Sequence, residues 1–341
     1  MKGEKKMRSR ACRVLLGVCA VFFLFAAMGV GAADAKPEYI LKVAYVVPEE
    51  QSTHVCARDF FKAYVEEKSE GRIKVELYPN AQLGGDRQAI ESVMIGTLEA
   101  TIPAVAVLAN FEPKFQVFDL PFLFETKAAA YKALDGELGN ILADSLPEGL
   151  KILVYAENGF RHITNNKGPI TSPDDLKGLK IRTMENPVHM DTFRAMGANP
   201  TPISFGELYT ALQQGTIDAQ ENPIPLVYTS KFFEVQDYYT LTGHFYAATV
   251  IAINDGFFNS LPEDLQQVVQ EGANLYREEQ RKLSQQQDIE MLEKLKEAGM
   301  QVNTLTDEQR QAFVEVTKPV YTKYEDVIGA DLIELARQAN E

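Results

Sequence analysis

Two separated stretches of this chain are written in the same pattern, and that repetition limits what it can fold into. Gly71-Arg72-Ile73-Lys74-Val75 leads through a helix-forming run from Arg87 to Ile95 into Gly96-Thr97-Leu98-Glu99-Ala100. Gly178-Leu179-Lys180-Ile181-Arg182 leads through a run from Phe205 to Gln214 into Gly215-Thr216-Ile217-Asp218-Ala219. Each reads as a short strand, a helix, a Gly just past the helix end, and an aliphatic-acidic-Ala step into a further strand. Gly suits that position because the left-handed conformation costs it little. Strand–helix–strand order implies parallel pairing and α/β architecture. Two such units predict two lobes of similar build, which also suits a chain of 341 residues, longer than one core usually supports.

Other segments fill in the plan. Tyr39 to Val47 has the pattern of a buried strand, and a helix is expected from about Ser52 to Ser69 with Ser52 or Thr53 as its N-cap. Asn158-Gly159 is the expected crossover into the second lobe. Ser172 followed by Pro173-Asp174-Asp175-Leu176 reads as a capped short helix with Pro at its first position. A long helix is predicted from about Pro262 to Ala298. Leu265, Val268, Val269, Ala273 and Tyr276 share one face, and Ile289, Leu292 and Leu295 continue it. The stretch from Arg277 to Asp288 is almost wholly polar, so the helix is expected to pass from lobe to lobe with its middle exposed.

The first 35 residues have a different character. Lys2, Lys5, Lys6, Arg8, Arg10 and Arg13 precede an apolar run from Val14 to Val30, and Ala33-Asp34-Ala35 fits a cleavage site. This is the pattern of a secretory signal peptide, so the mature chain is expected to be exported. Of 34 Lys+Arg and 48 Asp+Glu, that segment holds six and two, so 28 and 46 remain and the mature net charge is −18. Such an acidic chain is a poor partner for nucleic acid or an anionic membrane surface. A local cationic pocket for a small acid is compatible with it, because contact at low dielectric outweighs distant screened charge. Cys12 and Cys19 fall in the signal segment, leaving Cys56 alone and no intramolecular disulfide.

The motifs of catalysis are missing. His54, His162, His189 and His244 form no HExxH pair or Cys/His cluster, and there is no GxSxG elbow or GxxxxGK[ST] loop. No enzyme, metal or cofactor is therefore expected. The stronger constellation is cationic and amide-rich. Arg182 ends a strand, Arg161 follows Asn158-Gly159-Phe160, and Gln220-Glu221-Asn222-Pro223 lies past another strand end. Open α/β sheets bind ligands beyond the carboxyl ends of their strands. An Arg there offers two parallel N–H groups to a carboxylate. Asn222 adds an amide, Phe205 an apolar face, and Glu221 an acceptor for an Arg or a ligand hydroxyl.

In order and spacing, several segments resemble the solute-binding proteins of tripartite ATP-independent periplasmic (TRAP) transporters, the DctP-like family. They are Tyr78-Pro79-Asn80-Ala81-Gln82-Leu83-Gly84-Gly85-Asp86-Arg87, Ser172 to Arg182, Gly197-Ala198-Asn199-Pro200-Thr201-Pro202 and Ala211 to Pro223. The resemblance covers residues 38 to 341. It implies a type II-like periplasmic binding protein with two α/β lobes, interlobe crossing strands and a long helix spanning both. The expected division is 1–35 signal peptide, 36–158 plus about 248–287 lobe I, and 159–247 plus about 288–341 lobe II. The Arg matching Arg182 grips a ligand carboxylate, and the matches to Arg161, Asn222 and Phe205 line the same pocket. A monomer that hands its acid to TRAP membrane permease subunits is implied. Where sugar-acid binders place polar first-lobe groups, this chain has Ala104 and Val107. That favours a sparsely hydroxylated ligand such as a C4-dicarboxylate or a 2-oxo, aliphatic or aromatic acid. His54, Asp86, Glu185 and His189 are candidate second contacts. An extracytoplasmic sensor docking to a receptor would share this sequence. A secreted hydrolase would need a nucleophile or metal motif.

Overall fold

The computed structural model describes residues 36–341, so the expected signal segment lies outside the described residues. The sheet begins with β1 (Tyr39–Ala44), then α1, which runs in three successive stretches (Ser52–Cys56, Ala57–Lys62 and Ala63–Lys68). The N-cap of α1 is Gln51, one residue before the expected Ser52 or Thr53. Its side-chain oxygen accepts from the Thr53 N–H. Next come β2 (Ile73–Tyr78), α2 (Asp86–Met94) and β3 (Ala100–Thr101). β1 pairs in parallel with both β2 and β3, which makes a three-stranded arm ordered β2-β1-β3.

The second arm repeats this with β5 (Lys180–Thr183), α3 (Pro187–Ala195), β6 (Asn199–Pro202), α4 (Phe205–Gln213) and β7 (Ala219–Asn222). β5 lies between β6 and β7, parallel to both. The counterpart of β5 is thus β1, not the β2 segment with which the sequence repeat aligned it. The closing halves do correspond: α2 and α4 end at Gly96 (φ +73) and Gly215 (φ +66), each leading to an inner strand. The sequence pattern passed over β6 because Asn-Pro-Thr-Pro has no strand character. It is the last strand in the sheet order, where a proline without an N–H is tolerated.

Two long antiparallel strands, β4 (Lys151–Asn165) and β8 (Tyr238–Ile253), join the arms into one sheet of order β2-β1-β3-β8-β4-β7-β5-β6. β9 (Gln301–Thr304) pairs with β8. These are the crossing strands of a two-lobed α/β fold. The expected crossover at Asn158-Gly159 falls inside β4, at one of three register shifts in the β4/β8 ladder, where Gly159 takes φ +111.

α5 (Glu263–Glu297) is the predicted long helix. Only one side of its polar middle is exposed as expected: Glu278, Lys282, Gln285 and Gln286 face solvent, but Gln280 and Ser284 are fully buried and Gln287 nearly so, whereas Ile289 is 72% exposed. The helix crosses β4 beside the register shift, and side-chain amides there bond main-chain groups. Gln280 Oε1 accepts from the Glu157 N–H at 2.9 Å and its Nε2 donates to the Glu157 carbonyl at 2.7 Å. Gln287 bonds the Ser52 N–H and the Glu50 carbonyl. A buried main-chain group without such a partner is costly, so glutamine serves where an aliphatic side chain would fail. The C-terminal stretch assigned to lobe II divides between the two arms. In α6 (Asp307–Ile328), Phe313 joins the core of Ile163, Ile181 and Phe193. Val320, Tyr324 and Ile328, with Leu332 and Ala336 of α7 (Ala330–Gln338), join Leu108, Phe115 and Leu134 on the first-arm side.

Candidate functional site

The carboxyl ends of the parallel strands in both arms meet around a cavity of about 410 Å³. The second arm supplies Arg182 from β5 and Asn222, the last residue of β7, with Phe205 at the start of α4. β4 adds Asn158 and Arg161. The first arm supplies Val46 and Val47 just past β1, Ile102 and Ala104 just past β3, and Asp86 at the start of α2.

Arg161 is completely buried and held on one side only. Its Nε donates to Glu221 Oε2, and its Nη2 donates to Glu221 Oε1 at 2.8 Å, to the Glu221 carbonyl at 2.6 Å and to Asn222 Oδ1 at 3.0 Å. Burial alone would push the Glu221 carboxyl up. The charge of Arg161, with hydrogen bonds from His244 and Arg161, instead carries it well below the usual carboxylate range. His244 sits 3.2 Å from Glu221 through Nε2 and 2.6 Å from Thr242 Oγ1 through Nδ1. Below these groups, Asn222 donates to Gln220, Gln220 to Thr164 and Thr164 to Gln236. The polar network fixes the plane of the Arg161 guanidinium.

Arg182 is 2% exposed and stands in no ion pair among the described residues. Its Nε donates to the Ile203 carbonyl at 2.8 Å. Burial lowers its pKa to about 10, partly offset by the charge of Glu221. Arg161 Nη1 and Arg182 Nη1 are both shielded from solvent and without a hydrogen-bond partner. Asp86 keeps some exposure as a residue, but its Oδ1 is likewise shielded and unpartnered, while Oδ2 accepts from the Ala104 N–H at 3.3 Å. Burial raises the Asp86 carboxyl to about 6, against the Ala104 hydrogen bond and the charge of Arg182.

The arms also touch at the rim. Asn110 Nδ2 donates to the Glu185 carbonyl at 2.7 Å, and a Cβ added to Gly85 would lie 2.7 Å from Ser204 Oγ. The two arms thus approach each other at the rim, while Arg87, Gln88 and Glu91 line the side of the cavity that faces solvent.

Seven of the ten residues singled out in the sequence line this cavity: Arg182, Arg161, Asn222, Phe205, Asp86, Ala104 and Glu185. Three do not. Glu221 lies behind Arg161 and spends its carboxylate on that side chain, so it is not open to a ligand hydroxyl. His54 bonds the Tyr45 hydroxyl at 2.8 Å, and its neighbour Thr53 faces the cavity instead. His189 stacks on Phe245 with ring centroids 4.1 Å apart and pairs with Asp119 at 2.8 Å, because α3 turns it toward the core. Asn158, Val46, Val47 and Met184 join the wall without having been marked as contacts. For Asn158 the signal was present, since it adjoins the crossover glycine.

Among the described residues no group of three or more His, Cys, Asp or Glu is placed to hold a metal ion. No described helix is long and apolar enough to cross a membrane.

The family model for bacterial extracellular solute-binding protein, family 7, matches residues 43–326. The chain is 39% identical over 274 residues to the 2,3-diketo-L-gulonate-binding periplasmic protein YiaO of Escherichia coli, covering 80% of this chain and 83% of that protein. The crystal structure of the sugar acid binding protein DctPAm from Advenella mimigardefordensis with galactonate superposes with a TM-score of 0.87 at 38% identity. It covers 89% of this chain and 98% of that one. A TRAP periplasmic solute-binding protein from Shewanella oneidensis with bound succinate superposes with a TM-score of 0.86 at 34% identity, covering 89% and 100%. With the match spanning both arms and the cavity between them, the chain belongs to the bacterial extracellular solute-binding proteins of family 7, a family of periplasmic binding proteins and not of enzymes.

Proposed function

We propose that this protein captures the carboxylate of a small organic acid in the cleft between its lobes and delivers it to a TRAP membrane permease. One observation carries the reading: two buried guanidinium donors, Arg161 Nη1 and Arg182 Nη1, are unpartnered on the wall of one cavity. Two N–H donors at low dielectric are the complement of a carboxylate. In this reading Arg182 supplies the uncompensated positive charge and Arg161, locked by Glu221, supplies direction. Asn222 orients Arg161, and Phe205 packs on the ligand. The names of the relatives, which bind succinate, galactonate and diketogulonate, support the class.

Residues 1–35 act as the cleaved signal that brings the chain to the periplasm. Lobe I comprises 36–158 and about 248–287, joined by the helical segment around 320–339. Lobe II takes 159–247 and the remainder, and β4 and β8 carry the hinge.

Thermal melting of protein unfolded and refolded free of bound ligand tests this. The panel is C4-dicarboxylates, 2-oxo, hydroxy and aliphatic acids, each beside its amide. A ligand at about 1,000 times its Kd adds about 4 kcal/mol and raises Tm by several degrees. A shift with acids and none with the amides is the expected result. Equal shifts with acid and amide, or none with any acid, would overturn it.

A further inference from the structure

The charges around the cavity suit one carboxylate and not two. Six ionisable side chains line it: Asp86, Arg87, Glu91, Arg161, Arg182 and Glu185. Arg87 is paired with Glu91 at 3.1 Å, and Arg161 with Glu221 behind it. Of the lining cations this leaves Arg182 alone outside an ion pair, set against the carboxylates of Asp86 and Glu185. A monoanion is matched by Arg182. A second negative charge would meet Asp86 and Glu185 in a partly buried site, where repulsion is less screened than in open water.

The unpaired polar atoms point the same way. The cavity residues present two buried donors, Arg161 Nη1 and Arg182 Nη1, two buried acceptors, Asp86 Oδ1 and Asn158 Oδ1, and the Thr249 hydroxyl, which can act as either. A carboxylate satisfies the donors. An aliphatic tail or a second carboxylate offers the acceptors no hydrogen, and a buried acceptor left unpaired is costly. Hydroxyl groups on the ligand would donate to both.

Building on the carboxylate reading above, we infer that the ligand is a polyhydroxy monocarboxylate, its acid group on Arg182 and Arg161 and its hydroxyls donating to Asp86 and Asn158. Asp86 is then the residue that sets specificity: it rewards a hydroxyl donor and repels a second acid group. The apolar wall of Ile102, Ala104 and Val107 takes the carbon chain of the ligand. The expectation of a sparsely hydroxylated acid came from that wall alone, without the acceptors beside it.

Titration calorimetry on refolded, ligand-free protein near neutral pH tests this with a size-matched set of four-carbon acids: erythronate with three hydroxyls, succinate with a second carboxylate, and butanoate with neither. Galactonate serves as a longer polyhydroxy acid. The better of erythronate and galactonate should bind at least about tenfold tighter than succinate and butanoate, since a site built to bond a hydroxyl rejects analogues that lack it. Asp86→Asn, checked for an unchanged circular dichroism spectrum, should weaken the polyhydroxy acid and strengthen succinate, narrowing that ratio about tenfold. Succinate or butanoate binding as tightly as the polyhydroxy acids would overturn this inference and leave the carboxylate reading standing. So would an Asp86→Asn ratio within about twofold of wild type. Failure of every acid to bind would overturn both.

Discussion

At the carboxyl ends of β1 and β3 the first arm turns Val46, Val47, Ile102 and Ala104 toward the cavity, whereas β5 and β7 of the second arm turn Arg182 and Asn222 toward it. The two arms share one topology, so both bring strand ends and helix starts to the cleft. They differ in what those positions demand of the rest of the fold. An apolar side chain at a strand end is satisfied by contact. A buried guanidinium needs acceptors, and the second-arm side supplies Glu221, the Ile203 carbonyl and Asn222, with Gln220, Thr164 and Gln236 behind them. The polar wall is therefore the rigid one, and the first arm carries one costly group, Asp86.

Substitutions should expose this asymmetry. The largest effect is expected from Glu221→Gln, which leaves Arg161 buried without its counter-charge. Breaking such a pair removes about 3–5 kcal/mol of stability, to be read by urea unfolding. A loss below about 1 kcal/mol would mean that the second arm is not built around that pair. Arg182→Ala should act on binding and not on folding, because the removed cation stands in no ion pair among the described residues. Losing one side of a desolvated charge pair costs about 2–5 kcal/mol, or about 30- to several-thousand-fold in affinity. Calorimetry with a bound acid checks it, and affinity within a few-fold of wild type would move the carboxylate to the other arm.

The smallest effect belongs to the first arm and has the opposite sign. Burial raises the Asp86 carboxyl from 3.8 to about 6, so its ionised form is disfavoured in the folded state. The folded chain holds that proton more tightly than the unfolded chain. Wild-type stability therefore falls as pH rises from about 4 through 6 and stays lower above it. Ligand-free Asp86→Asn should be the more stable protein above pH 6, by up to about 3 kcal/mol. Loss of a helix N-terminal charge trims the gain by a few tenths to about 1 kcal/mol. The advantage should vanish near pH 4. Melting curves at the two extremes measure it, and a variant less stable than wild type at pH 8 would show that Asp86 is a structural group and not one held for a ligand.

Much of the fold was legible because it follows local rules. The Gly-ended helices and the extent of the long helix rest on period and end signals and were found where the sequence put them, whereas the buried strand read from Tyr39 to Val47 ends at Ala44 and leaves Val46 and Val47 to the cavity wall. The matching of repeats slipped by one strand because β6, Asn-Pro-Thr-Pro, pairs at a sheet edge for reasons its residue types do not display. The polar face of α5 was read as solvated, since glutamine facing water and glutamine bonding a strand's main chain are spelled alike. Among site residues, Arg182 and Asn222 were legible from their place at strand ends. His189 and His54 were not excluded, because whether a histidine faces a cavity or a neighbour depends on packing.

The sequence by itself determined the class of the fold, the two-lobed plan and the residues with the chemistry to hold an acid, because periodicity, turn residues and strand-end positions are properties of short segments. Only the tertiary structure decided which charges remain uncompensated. Glu221 cancels Arg161 across sixty positions of chain, and Asp86 comes to share the cavity with Arg182 from the opposite arm. Coulomb energy and hydrogen bonding depend on distance in space, so the set of free donors and acceptors was decided where the arms meet.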